Sequence, residues 1–222
     1  MNIKMKLLAI GVAIIIVLLA ISPVILQTVG NKNNPANLIR VACIGDSITG
    51  GTEYTIDLWK LLGPNYFVGN FGIGGATVSF TSYSSYGNLT AIRVAKQFEP
   101  NIVIIMLGTN DANIDNNQSD TNFINDYVKI LNEFQGLASK PNVWIVKPPP
   151  VFNNTYGINA TYFSQHIIPN IEQVSNKTNL QTIDVYSSLV NHPDYFIDGV
   201  HPNDHGSRVI AKTIYNALVL LR

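Results

Sequence analysis

The chain has 222 residues with 14 basic and 14 acidic side chains, so its formal charge is zero at pH 7. That length suits one domain with a short appendage, and the absence of any basic block leaves nucleic-acid binding without an electrostatic footprint. A single cysteine, Cys43, excludes a disulfide within the chain, so packing alone must hold the core together.

Residues 1–29 are a different material from the rest. Lys4 and Lys6 precede an almost unbroken apolar run from Leu7 to Leu26. At helical rise such a run spans about 30 Å, the thickness of a bilayer core. We read it as a transmembrane anchor whose lysine end stays in the cytoplasm, which places the rest of the chain outside. The alternative is a cleaved signal peptide and a secreted protein. Ala20-Ile21-Ser22 is a small-x-small site, but Pro23 follows directly, where it hinders cleavage. Residues 30–37 are polar and read as a linker. Residues 38–222 are then one domain, long enough for a well-buried core. Sequons at Asn88, Asn117, Asn153, Asn159 and Asn176 fit an outside location, although a chain this rich in Asn acquires several by chance.

Within the domain, runs of strand length alternate with helical patterns. The run Ile39–Ile44 holds Cys43 as a small buried residue and leads into Gly45-Asp46-Ser47-Ile48-Thr49. A helical pattern covers Glu53–Leu62, and the run Tyr66–Phe71 leads into Gly72-Ile73-Gly74-Gly75. After a helix over Leu89–Gln97, the run Ile102–Leu107 shows no polar alternation and ends in Gly108-Thr109-Asn110-Asp111. A strand of that kind is buried on both faces, as in a parallel sheet covered by helices. A helix over Asn122–Leu137, a strand over Val143–Val146, a helix over Thr161–Asn176 and a strand over Leu180–Val185 follow. The final helix, Gly206–Leu221, carries Val209, Ile210, Ile214, Ala217, Leu218 and Leu221 on one face. The loop before it contains Asp198-Gly199-Val200-His201-Pro202-Asn203. The alternation predicts a three-layer α/β/α sandwich.

This order has a chemical consequence. Open parallel sheets bind ligands beyond the carboxyl ends of their strands. Ser47, the Gly72–Gly75 turn and Asn110 each follow a strand and so arrive at one edge, which the loop of Asp198 and His201 can also reach. Acyl transfer needs a nucleophile, a base, a group that orients the base, and donors for the oxyanion. Ser47 is the candidate nucleophile; its plainer role would be a helix cap. The segment is not a Gly-x-Ser-x-Gly elbow, because Thr49 replaces the second glycine, and this argues against an α/β-hydrolase fold. Asp198, three residues before His201, can orient that base on one turn. His166, His192 and His205 compete, but only His205 has a neighbouring carboxylate, Asp204, and adjacent side chains rarely face each other. Asp198, His201 and His205 as metal ligands is the weaker reading. The N–H groups of Ser47 and Gly75 and the amide of Asn110 would hold the oxyanion, or Gly75 and Asn110 would simply form turns. Asp46 and Asp111 read as structural, each pinning its own turn.

These four islands resemble the blocks of the SGNH, or GDSL, hydrolase superfamily, whose Ser, Gly, Asn and His fall here on Ser47, Gly75, Asn110 and His201, with Asp198 three residues before the histidine. The resemblance covers the chain from about Arg40 onward. It implies a flavodoxin-like three-layer fold with five parallel strands, and ester hydrolysis without a metal or organic cofactor. The segments Val68–Gly72, Ile104–Asp111, Lys147–Pro150 and Ile197–Asn203 look like the sialate O-acetylesterase-like branch, which is associated with removing acetyl groups from sugars. The short Gly50-Gly51-Thr52 departs from the longer, aromatic-containing insertion that family members often carry after the serine. The expected substrate is therefore a small-molecule or glycan ester, with O-acetyl carbohydrate foremost. A lysophospholipase or thioesterase is the rival. Phe80, Tyr83 and Tyr86 would then line an acyl channel, or they would stack on a sugar. A non-catalytic glycan-binding protein is the rival of another class, against which an intact Ser47, Asp198 and His201 count. Nothing in the sequence identifies a protein partner.

Overall fold

The computed structural model describes residues 38–116 and 119–220. Five strands, β1 (Ile39–Gly45), β2 (Tyr66–Gly72), β3 (Ile102–Met106), β4 (Asn142–Lys147) and β5 (Thr182–Asp184), form one sheet in the order β2-β1-β3-β4-β5. Every neighbouring pair is parallel. Alternation along the central strands explains why no polar face exists. Ala42, Ile44, Val103, Ile105, Val143 and Ile145 point into one core, while Val41, Cys43, Ile104, Met106, Trp144 and Val146 point into the other. Each apolar face must be covered, and helices cover both.

The helices are α1 (Ser47–Gly51), α2 (Tyr54–Leu62), α3 (Thr90–Gln97), α4 (Asp120–Gln135), α5 (Ile168–Thr178), α6 (Val185–Leu189) and α7 (Asp204–Leu220). The first core takes Ile92 from α3, Phe123, Tyr127, Ile130 and Phe134 from α4, and Ile171 and Val174 from α5. The second takes Tyr54 and Leu58 from α2, and Ile210, Ala211, Ile214 and Leu218 from α7. The expected α/β/α layering with five parallel strands is therefore present.

Two local readings are refined. The expected helix over Thr161–Asn176 is present as one helical run with a widened π turn inside it: a first turn at Ala160–Tyr162 and the π turn at Phe163–Ile167 lead directly into α5. Pro169 explains this, because it lacks the N–H that would bond one turn back, and the widened turn absorbs the misfit. On α7, Val209 and Ala217 pack half-buried against the second core, and Ala211 joins Ile210, Ile214 and Leu218 among its buried residues. The short helices α1 and α6 have no periodicity long enough to read from sequence.

The expected anchor over residues 7–26, the linker over 30–37, Leu221 and the Asn117 sequon lie outside the described residues. Among the described residues, no helix is long and apolar enough to cross a membrane.

Candidate active site

The carboxyl end of β1 and the start of α1 meet at Asp46 and Ser47. Asp46 caps the helix, its Oδ1 accepting from Ile48 N–H at 2.9 Å. Ser47 is the first residue of α1, so its N–H has no acceptor inside the helix. The glycines around it permit close approach. A Cβ on Gly50 would stand 2.8 Å from the Gly72 carbonyl oxygen, and one on Gly45 would stand 2.8 Å from the Met106 carbonyl oxygen. These contacts draw the end of β1 against β2 and β3 and set Ser47 at their common edge.

Ser47 Oγ lies 2.9 Å from His201 Nε2, and His201 Nδ1 lies 2.8 Å from Asp198 Oδ2. The other carboxylate oxygen, Asp198 Oδ1, accepts the backbone N–H groups of Val200 at 3.0 Å and His201 at 2.8 Å. Spacing of three residues thus closes a small turn in which Asp198 holds both the backbone and the ring of His201. Partial burial opposes ionisation of Asp198, but the bonds from the His201 backbone and ring, Val200 N–H and the Tyr156 hydroxyl outweigh it and hold the carboxyl down at about 2. Asp198 is therefore a carboxylate across the physiological range, and an acceptor for the Nδ1 proton.

Gly75 and Asn110 line the same cavity, of about 290 Å³, as Ser47 and His201. Gly75 takes φ +75°, which favours glycine. Among the described residues, its N–H meets no acceptor. Asn110 sits on a single 3₁₀ turn after β3, and its Nδ2 donates to Ala76 O at 3.0 Å. An amide nitrogen carries two N–H groups, so one remains for a bound oxygen. All five sequence-selected residues, Ser47, Gly75, Asn110, Asp198 and His201, are thereby brought together.

A model of the GDSL-like lipase/acylhydrolase family matches residues 43–209, three-quarters of the chain and all four islands. The chain belongs to that family. This GDSL-like chain is also 31% identical over 225 aligned residues to an acetylxylan esterase of Xylanibacter ruminicola. The alignment takes in 87% of the chain and 47% of that relative, so the chain spans about half the relative's length. Among solved structures, a carbohydrate acetylesterase from Sinorhizobium meliloti matches with a TM-score of 0.66 at 20% identity, over 82% of this chain and 99% of that one. A lipase/acylhydrolase from Enterococcus faecalis matches with a TM-score of 0.66 at 23% identity, over 82% of this chain and 95% of that one. Both likenesses are of fold.

Other members of the site were not legible. Tyr156, Ile158 and Val200 complete the cavity lining. Tyr156 donates its hydroxyl to Asp198 Oδ2 at 2.9 Å and meets the His201 ring edge to face, with centroids 5.3 Å apart. It comes from the segment after β4, which carries no island. The contacts that bring it in are backbone ones: Phe152 N–H to Gly199 O at 2.8 Å, and Asn159 N–H to Ala112 O at 3.0 Å. Three expected features fall elsewhere. Tyr86 is fully buried with its hydroxyl on Phe71 O, Phe80 packs against the first core, and Tyr83 stands in solvent, so none lines the cavity. Asp111 also reaches beyond its own turn: its carboxylate accepts the N–H groups of Val78 and Ser79, on the loop after Gly75. His166 proves to have a carboxylate partner, Asp120 at 3.2 Å, on α4, a pairing across 46 residues that spacing could not suggest. His205 stacks on Tyr195 and faces Arg208, away from a shared site with Asp198.

Proposed function

We propose that this chain is a serine carboxylic ester hydrolase that removes O-acetyl groups from carbohydrates, on the outer side of a membrane to which residues 7–26 anchor it. One observation carries the chemical reading: the continuous bond path Ser47 Oγ–His201 Nε2 and His201 Nδ1–Asp198 Oδ2, opening on a cavity lined by Gly75 and Asn110. In the cycle, His201 takes the Ser47 proton as Oγ attacks the acetyl carbonyl. The oxyanion rests on the N–H groups of Ser47 and Gly75 and on the free amide proton of Asn110. His201 then protonates the departing sugar oxygen. Water, activated by the same His201, attacks the acetyl-enzyme and releases acetate, which restores Ser47. Asp198 holds the Nδ1 tautomer throughout.

The acetyl part of the reading is supported by the name of the Xylanibacter relative and by the small size of the cavity, about 290 Å³. A long acyl chain needs an apolar channel, and the aromatic loop expected to form one faces elsewhere. The test is acetate release from acetylated xylosides beside a series of aryl esters of rising acyl length. Acetyl esters turned over fastest by wild type, and not at all by Ser47→Ala, is the expected result. A preference for long acyl chains overturns the acetyl reading, and full activity in Ser47→Ala overturns the mechanism.

A further inference from the structure

Tyr156 has two faces toward the site. Its hydroxyl and the His201 ring nitrogen both donate to Asp198 Oδ2, at 2.9 and 2.8 Å, while Val200 and His201 N–H groups occupy Oδ1. A carboxylate offers about four acceptor positions. With four donors in place, Asp198 has one orientation, and Tyr156 supplies the only one of the four that comes from outside its own turn. The residue, meanwhile, is 49% exposed and lines the cavity, and its ring crosses His201 at 83°.

The tyrosine is held rather than loose. Its backbone N–H donates to Asn154 Oδ1 at 2.9 Å and its carbonyl accepts from Asn113 Nδ2 at 2.9 Å. Asn154 also bonds Phe152 O and Ile158 O at 2.9 Å each, which clips the whole segment. Asn113 belongs to the stretch that follows Asn110, so the segment is moored to the oxyanion side of the site while its aromatic ring adjoins the histidine.

Position then decides what the ring meets. The carbonyl oxygen of a bound ester points to Gly75 and Asn110. The leaving oxygen must come within hydrogen-bond reach of His201 Nε2, because that nitrogen protonates it. The alcohol part of the ester therefore projects over His201, where the Tyr156 ring stands. An aromatic ring with a fixed polar tip packs well against the C–H face of a sugar.

We infer that Tyr156 positions the Asp198–His201 pair through its hydroxyl and, with its ring, forms the surface on which the leaving sugar sits. This rests on the ester-hydrolase reading above. The experiment compares wild type, Tyr156→Phe and Tyr156→Ala on two acetates, ethyl acetate and a mono-O-acetylated xyloside, by acetate release, with Ser47→Ala as the control. Tyr156→Phe should lower kcat about tenfold on both esters and leave both KM values alone, because a bond to a charged orienter is lost while the ring stays. Tyr156→Ala should show the same fall in kcat and, in addition, a KM for the xyloside raised about fivefold, with KM for ethyl acetate unmoved. Wild-type kcat in Tyr156→Phe overturns the inference, as does an unchanged xyloside KM in Tyr156→Ala. In both cases, wild-type turnover that Ser47→Ala abolishes leaves the ester-hydrolase reading standing. A wild type that releases no acetate from either ester overturns both readings together.

Discussion

The side-chain amide of Asn110 donates to the carbonyl of Ala76 at 3.0 Å, so the residue after β3 holds the loop that carries Gly75 after β2. Two proposed oxyanion donors are thus one mechanical unit, and the same amide that fixes the loop keeps a proton for the substrate.

Asn110→Ala should lower kcat for an acetyl ester by roughly 10²–10³-fold with little change in KM, because the donor acts mainly on the charge that develops in the transition state. Steady-state kinetics over a range of ester concentrations reads the two constants separately. A loss confined to KM would place Asn110 in ground-state binding instead.

Burial pushes Asp46 up to about 6 and Asp111 up to about 7, against the N–H bonds that each accepts. Both folded-state values lie above those of the unfolded chain. Between the two values the folded protein holds more protons than the unfolded one, so stability falls as pH rises. Asp198, held down at about 2, has the opposite sign: its contribution is present above the ordinary carboxylate range and is lost as pH falls toward 2. Asp111→Asn removes one of the first two groups. Its melting temperature relative to wild type should rise from about pH 4 up to the Asp111 value of about 7. A difference that stays flat across that interval would show that Asp111 titrates alike in both states.

The histories of Asp111 and Tyr156 show where sequence reading stops. Unbroken apolar runs made the parallel sheet legible, because a strand buried on both faces tolerates no polar alternation, as Ile102–Met106 shows. Strand ends then located Ser47, Gly75 and Asn110. Asp198 and His201 were legible because they sit on one turn. Asp111 bonds Val78 across 33 residues, and Tyr156 bonds Asp198 across 42. Neither pairing leaves a period or spacing in the chain. The widened turn at Phe163–Ile167 had a local signal in Pro169, but the helical pattern on both sides masked it.

Gly45 is the residue on which the placement of Ser47 depends. An added Cβ would press on Thr49 Oγ1, stand 2.7 Å from Thr49 Cβ and 2.8 Å from the Met106 carbonyl oxygen. Thr49 is buried in α1 with its hydroxyl on Tyr54, and Met106 O belongs to the sheet, so neither neighbour gives way easily. Gly45→Ala should cost about 1–3 kcal/mol of stability, the range of core overpacking. It should also lower kcat in the molecules that remain folded, since α1 carries Ser47. Denaturant unfolding checks the first effect and kinetics below the transition checks the second. An unchanged unfolding midpoint would mean that the α1 turn yields freely.

The apolar run Leu7–Leu26 sets the last prediction. An apolar run of that length without charges is expected to partition into a bilayer, and lysines ahead of it bias that end toward the cytoplasm. Every residue proposed for the chemistry lies beyond Arg40, and the sheet begins at Ile39. A chain that starts at Asn37 should therefore be soluble and as active per molecule as the full one. The full chain should sediment with membranes, resist carbonate extraction, and expose its hydrolase domain to protease added from outside. Quantitative carbonate release would exclude a spanning segment. A mature N-terminus just after Ser22 would instead mark a cleaved signal, which would remove the anchor while leaving the domain outside and its chemistry intact.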